Sequence, residues 1–280
     1  MDMGANAIKD FKMGEINIDG TPDYEGSVAD VLKTIKRNMV GNIIVGAIEG
    51  QDRDLTLVPF DKGKAAVYGD CNATTRSENL RASAPEGITG SLPGASGWYA
   101  GHNDDPRTSK DERDDRVPYP LKGTGAGSDV HIFFTPDADP SGKSSCAGGV
   151  FGSQPDEVLV HEMVHGLRHM QGKRNPIPTK DPGYDNEEEF LAIVVTNVYM
   201  SANNKVKLRA DHNGYLPLKA PLDTSAGFLA DAENLKLMNI YKLIWQPQFW
   251  FLAQVAAAKF NPFRELTARL AYLTGGRPFK

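Results

Sequence analysis

Residues 161–165 read His-Glu-Met-Val-His. Two histidines four positions apart on a helix leave from one face, one turn above each other. Their imidazoles can share one Zn²⁺, and the glutamate between them then stands beside an open coordination position. With six His in 280 residues, the chain's own composition produces this pattern by chance in roughly 1% of such sequences. The surroundings must therefore decide.

Those surroundings predict a helix. Ser153 can cap it, Pro155 suits its first turn, and Asp156 and Glu157 complement the positive end of its dipole. Val158, Leu159, Val160, Met163, Val164 and Leu167 make it apolar around most of its circumference, and Gly172 closes it after Arg168 and His169. Such a helix is buried, and burying two imidazoles and a carboxylate without partners costs several kcal/mol or more. A metal ion removes that conflict. His169 continues the four-residue spacing but rises about 12 Å from His161, too far to share one small ion with it. Gln171, not histidine, stands six residues past His165, so the metzincin spacing is absent.

A third ligand must come from elsewhere. The segment Asn186-Glu187-Glu188-Glu189-Phe190 opens a second helix, apolar from Leu191 to Met200. One or two of its glutamates serve the helix dipole and the cap. The all-round apolarity behind them buries this helix too, so at least one glutamate points inward. Glu188 is the favoured ligand because Ala192, one turn on, is small enough for close helix approach; Glu189 is the alternative. The turn-rich stretch 171–185 is long enough to bring the second helix back across the first.

Together, His161-Glu-Met-Val-His165 and Glu188-Glu189-Phe190 resemble the gluzincin arrangement of two histidines and a downstream glutamate. More closely, they resemble the zinc metallopeptidase effectors that Gram-negative bacteria secrete into host cells, distant relatives of the clostridial neurotoxin light chains, with the likeness running over residues 153–215. That resemblance implies a zincin-like fold, a Zn²⁺ cofactor and a protein or peptide substrate, with a host protein among the candidates. It also implies delivery by a specialised system. With His161, His165 and Glu188 as ligands, Glu162 is the general base that takes a proton from the metal-activated water and passes it to the leaving amine. The oxyanion needs a further stabiliser. His212 is the first candidate, with Arg209, Tyr215 and Tyr199 behind it. A zincin scaffold kept for binding, or a non-peptidase hydrolase, are the alternatives.

The elements that would position these groups read as α+β: a mixed sheet, an active-site helix and a mainly helical part over 220–280, all in one domain over 1–280. Ser27 and Asp30 suggest a helix to about Met39, ended by Gly41. Residues 42–48 and 55–60 read as strands, 65–68 as a possible third, and 129–134 as the clearest, expected to border the cleft and pair with an extended substrate. Residues 70–128 read as one long polar loop or insertion, with a solvated charged run at 104–116. Leu243–Ala258 is too short to span a membrane and reads as a core helix pair kinked at Pro247. A net charge of −5 with no basic patch excludes nucleic acid as a favoured partner. The first residues carry no apolar core of a general secretory signal. Cys71 and Cys146 form no metal cluster, and the sequence leaves open whether they pair.

Overall fold

The computed structural model describes residues 14–60, 73–89, 98–100, 116–118, 121–136, 152–175, 177, 179–180, 182–212 and 216–273. The possible strand at 65–68, the charged run up to 115, both cysteines and Tyr215 lie outside these residues.

The molecule is α+β. Its strands are β1 (Ile16–Ile18), β2 (Leu55–Pro59), β3 (Ala73–Ser77), β4 (Gly87–Thr89), β5 (Trp98–Ala100), β6 (Arg116–Pro118), β7 (Leu121–Gly123) and β8 (Val130–Phe134). A four-stranded sheet has the order β1-β2-β8-β3, while β4 pairs with β7 and β5 with β6. Within the larger sheet β1, β2 and β8 are parallel, and β3 runs antiparallel to β8. Register sets its faces. Leu55 and Leu57 lie beside Val130 and Ile132, and Ile132 lies beside Thr75. Side chains alternate across a strand, so these residues share one face.

That face receives the helix carrying the His-Glu-Met-Val-His segment. The helices are α1 (Pro22–Arg37), α2 (Met39–Glu49), α3 (Leu80–Ser83), α4 (Pro155–Met170), α5 (Glu187–Ala202), α6 (Ser225–Phe228), α7 (Ala232–Ile244), α8 (Gln248–Ala253) and α9 (Pro262–Leu273). Helix α4 lies on the sheet at Gly166, where an added Cβ would come within 2.9 Å of Leu55 Cδ1 and 3.6 Å of Ile132 Cδ1. Glycine here is a packing requirement, because it lets the helix axis approach the strands. Behind α4, helix α5 is buried along nearly its whole length, from Phe190 through Ser201. The all-round apolar pattern required this.

Three expectations change. Residues 42–48 are not a strand but the body of α2, with Val40, Ile44, Val45 and Ile48 buried at helical spacing. Helix α1 ends at Arg37, and Asn38 both terminates it and caps α2 by accepting from the Val40 N–H. The same Asn38 side chain donates to Tyr199 O at 3.2 Å and Asn203 Oδ1 at 2.7 Å, tying the corner to the end of α5. The polar stretch 70–128 is not a single loop: β3, α3, β4 and β7 lie inside it. Strand β8 has both neighbours occupied, by β2 and β3, so it cannot take an added strand, and β1 and β3 are the edges of the sheet. The break at Pro247 falls where the composition placed it, between α7 and α8. No helix among the described residues is long and apolar enough to cross a membrane.

Candidate functional site

Helix α4 starts one residue later than Ser153 would have set it. Gln154 occupies the N-cap, and its N–H donates to the Glu157 carboxylate at 3.2 Å. At the other end Gly172 takes φ +63°, a conformation that closes the helix at little cost only for glycine. Between these ends, His161 and His165 turn towards α5 and are almost fully buried.

Their Nε2 atoms lie 3.1 Å apart. The carboxylate facing them belongs to Glu189, whose Oε2 is 3.1 Å from His161 Nε2 and 3.3 Å from His165 Nε2. Glu188, the residue expected there, is turned away. It accepts from Arg168 Nε at 3.1 Å and from the Asn175 N–H at 2.8 Å. The reason is charge. Arg168 sits on α4 one turn past His165 and is fully buried, and a buried guanidinium requires a carboxylate partner. Glu188 supplies it, and consecutive helical residues diverge by about 100°, which swings Glu189 onto the histidines. Asn186 fixes the helix start by accepting from the Glu189 N–H at 3.0 Å, and Glu187 accepts from Asn175 Nδ2 at 2.8 Å. Asn175 therefore serves both Glu187 and Glu188, while Glu189 alone of the three faces the histidines.

His212 enters from the chain after α5. Its Nε2 lies 3.3 Å from Glu189 Oε2, its Nδ1 lies 2.7 Å from Asp185 Oδ2, and its ring stacks on His161 at 5.8 Å. Arg209 supports that segment by donating to the carbonyl oxygens of Asp211 and His212. Tyr199 is not near the site: its hydroxyl donates to Asp156 Oδ2 at 2.7 Å. His169 is buried but outside the donor group, and His131 sits on β8 with Glu78 as its ionic neighbour, at 3.8 Å.

Glu162 faces the sheet. Its Oε2 accepts from the Thr75 hydroxyl on β3 at 2.7 Å, and the same hydroxyl lies 3.0 Å from the Glu162 backbone carbonyl. The polar composition of residues 70–128 hid this contact. The sole hint was the Ala-Thr-Thr-Arg-Ser run, whose threonines suit a strand.

Burial and neighbouring charge set the protonation. Desolvation lowers the pKa of His161 to about 3 against the pull of Glu189. Desolvation also opposes charging of His165, but the charges of Glu189 and Glu162 and the hydrogen bond to Glu189 outweigh it and raise the pKa to about 9. Glu189 resists its own burial penalty through His165 and stays well below the usual carboxylate range. Burial pushes Glu162 up, opposed by the His165 charge and the Thr75 hydroxyl.

This donor set fits a zinc ion. Two imidazole nitrogens and a carboxylate oxygen lie 3.1–3.3 Å from one another. Ligands at about 2.0–2.1 Å on a tetrahedron are separated by about 3.3–3.4 Å. His161, Glu189 and His212 also offer donor atoms within 4.8 Å of one another, so a fourth group borders the same space. Among the described residues His161 Nδ1 is buried without a hydrogen-bond partner, and Nε2 is the nitrogen that meets His165 and Glu189.

Comparison with the curated proteins yields no match, and no solved structure matches either. A family model does match, over residues 12–217, a span that begins before β1 and takes in both site helices and the His212 segment. Its description is Effector protein, and the chain belongs to this peptidase family, Peptidase_M91.

Proposed function

We propose that this effector peptidase cleaves a protein substrate with a zinc ion held by His161, His165 and Glu189, on a zincin-like scaffold. The convergence of these three donors beside a half-buried Glu162 supports the reading. Held by these residues, a zinc ion would supply Lewis-acid chemistry, making water a stronger nucleophile and polarising the scissile carbonyl.

The chain's own residues supply the rest. Glu162, its pKa raised by burial, accepts the proton of the attacking water and delivers it to the departing amine. His212, its Nδ1–H donated to Asp185, presents Nε2 at the rim of the donor group, and as the imidazolium it can donate from that nitrogen to the developing oxyanion. The substrate lies along β3. The Glu78 N–H donates to Asp129 O across the β3–β8 ladder, so by antiparallel alternation the backbone groups of Thr75 and Ser77 point away from β8. An extended peptide added at that edge passes the Glu162 side chain. The effector family supports delivery into a host cell and a host protein as substrate.

Metal analysis and mutation test this reading together. The purified chain should bind about one zinc. His161→Ala with His165→Ala should abolish binding, whereas Glu162→Gln should keep the zinc and lose about 10²–10⁴-fold in activity. Stoichiometric zinc in the double histidine variant would overturn the proposal.

A further inference from the structure

The general-base reading leaves one question of geometry. A glutamate has three rotatable bonds, and a base must meet its proton within hydrogen-bond distance. Something has to hold the carboxylate. Among the described residues the hydrogen bond to the Glu162 carboxylate comes from Thr75, at 2.7 Å to Oε2. The same oxygen of Thr75 lies 3.0 Å from the Glu162 carbonyl, so both contacts of the hydroxyl fall on one residue. One proton serves these two acceptors, and the shorter contact, to Oε2, is the one that holds the side chain.

The placement of Thr75 follows from the sheet. Its register partner is Ile132, on the face that packs against α4, while its neighbour Arg76 turns to the opposite face and lies over the Phe133 ring at 5.3 Å. A shift of one residue in β3 would replace the hydroxyl with a different side chain. Being β-branched, threonine has few χ1 choices on a strand, so the hydroxyl is presented in a fixed direction.

We propose that Thr75 is the positioning residue for Glu162: it occupies Oε2 and leaves Oε1 as the oxygen that exchanges protons with water and the leaving amine. This rests on the peptidase reading above. Thr75 touches neither the substrate's reacting atoms nor the metal donors. Its side chain fixes the base on one side of β3's backbone, while the outward amide groups of the same residue lie at the edge proposed to take the peptide.

The test compares Thr75→Val, which keeps the shape and removes the hydroxyl, with Thr75→Ser, which keeps the hydroxyl. Each is measured for zinc content, for kcat and KM on a quenched-fluorescent peptide library, and by crystallography of the zinc-loaded protein. Thr75→Val should retain one zinc and wild-type KM while kcat falls about tenfold or more, the scale of one hydrogen bond to a charged group. Thr75→Ser should restore kcat to within about threefold. In the crystals, Glu162 should keep its rotamer with Thr or Ser and leave it with Val. In a Glu162→Gln background, Thr75→Val should add no further loss. If Thr75→Val does not fold, Thr75→Ala is read in the same way. An unmoved Glu162 in the Val or Ala variant, or an equal loss in the Glu162→Gln background, overturns the proposal. Absence of zinc from the wild-type protein would overturn the peptidase mechanism instead, whatever the Glu162 rotamer does.

Discussion

Glu188 and Glu189 are the same side chain one residue apart, and they face different partners. Glu189→Gln should strip zinc, since it removes the anionic donor facing both histidines. Glu188→Gln should leave the donor atoms intact but uncover the buried Arg168 charge, a loss of about 3–5 kcal/mol in stability by urea unfolding. Zinc loss confined to the Glu188 variant would reverse the two assignments. Protonation gives a second expectation. His165, raised from an ordinary 6.5 to about 9, is charged in the metal-free protein at neutral pH, whereas His161, lowered to about 3, is not. Zinc takes neutral imidazole, so binding at pH 7 should release one proton, not two. Apparent affinity should rise about tenfold per pH unit up to about pH 9. The sign for the metal-free fold is opposite. A raised histidine pKa stabilises fully below 6.5, and that contribution disappears as pH climbs through about 9. Calorimetry in buffers of different ionisation enthalpy measures the proton count, and a value of two, or none, contradicts this assignment. The approach of the two histidines to each other was legible in the sequence because their spacing is local. Glu189 over Glu188 was not, because the deciding partner, Arg168, read as a helix-end charge until its burial was known.

At the scale of elements, periodicity worked where segments were long. Helices α4 and α5 were legible from composition and caps. Residues 42–48 were not: a short apolar run with Ile and Val suits a buried strand or a buried helix equally, and the decisive cap, Asn38, lay inside what read as the preceding helix. Strand β3 was hidden by its polarity, since an edge strand need bury only some of its side chains. The contact between α4 and the sheet offers a direct probe. Gly166→Val should destabilise by about 1–3 kcal/mol through overpacking against Leu55 and Ile132. Gly166→Ala should stay within about 1 kcal/mol of wild type, because the Leu55 methyl can yield and alanine favours the helix. Equal thermal stability of all three proteins would show that this approach is not tight.

At the scale of the molecule, the family match ends at residue 217, yet the core does not. Phe190, the residue after Glu189, stacks with Phe228 and Tyr241, and the Tyr241 hydroxyl donates to the Glu187 carbonyl at 2.6 Å. Tyr241 also lies under the Arg168 guanidinium, 5.4 Å from its ring centre. Helices α6 and α7 therefore cover the start of the glutamate-bearing helix. A chain stopped after residue 217 would expose that surface and should lose its cooperative thermal transition. A sharp transition retained by the truncated chain, with zinc bound, would show that the added helices are dispensable.

The donors come from three stretches of chain: 161–165, 189 and 212. An unfolded chain offers only the two histidines at once, and bringing Glu189 to them requires closing an intervening loop. Yet here the helices that close it are fixed by a buried core and by the Arg168–Glu188 pair. An ion held there would therefore find its donors already assembled, would report completed folding and not cause it, and a chain moved between compartments unfolded would have to acquire that ion at the destination.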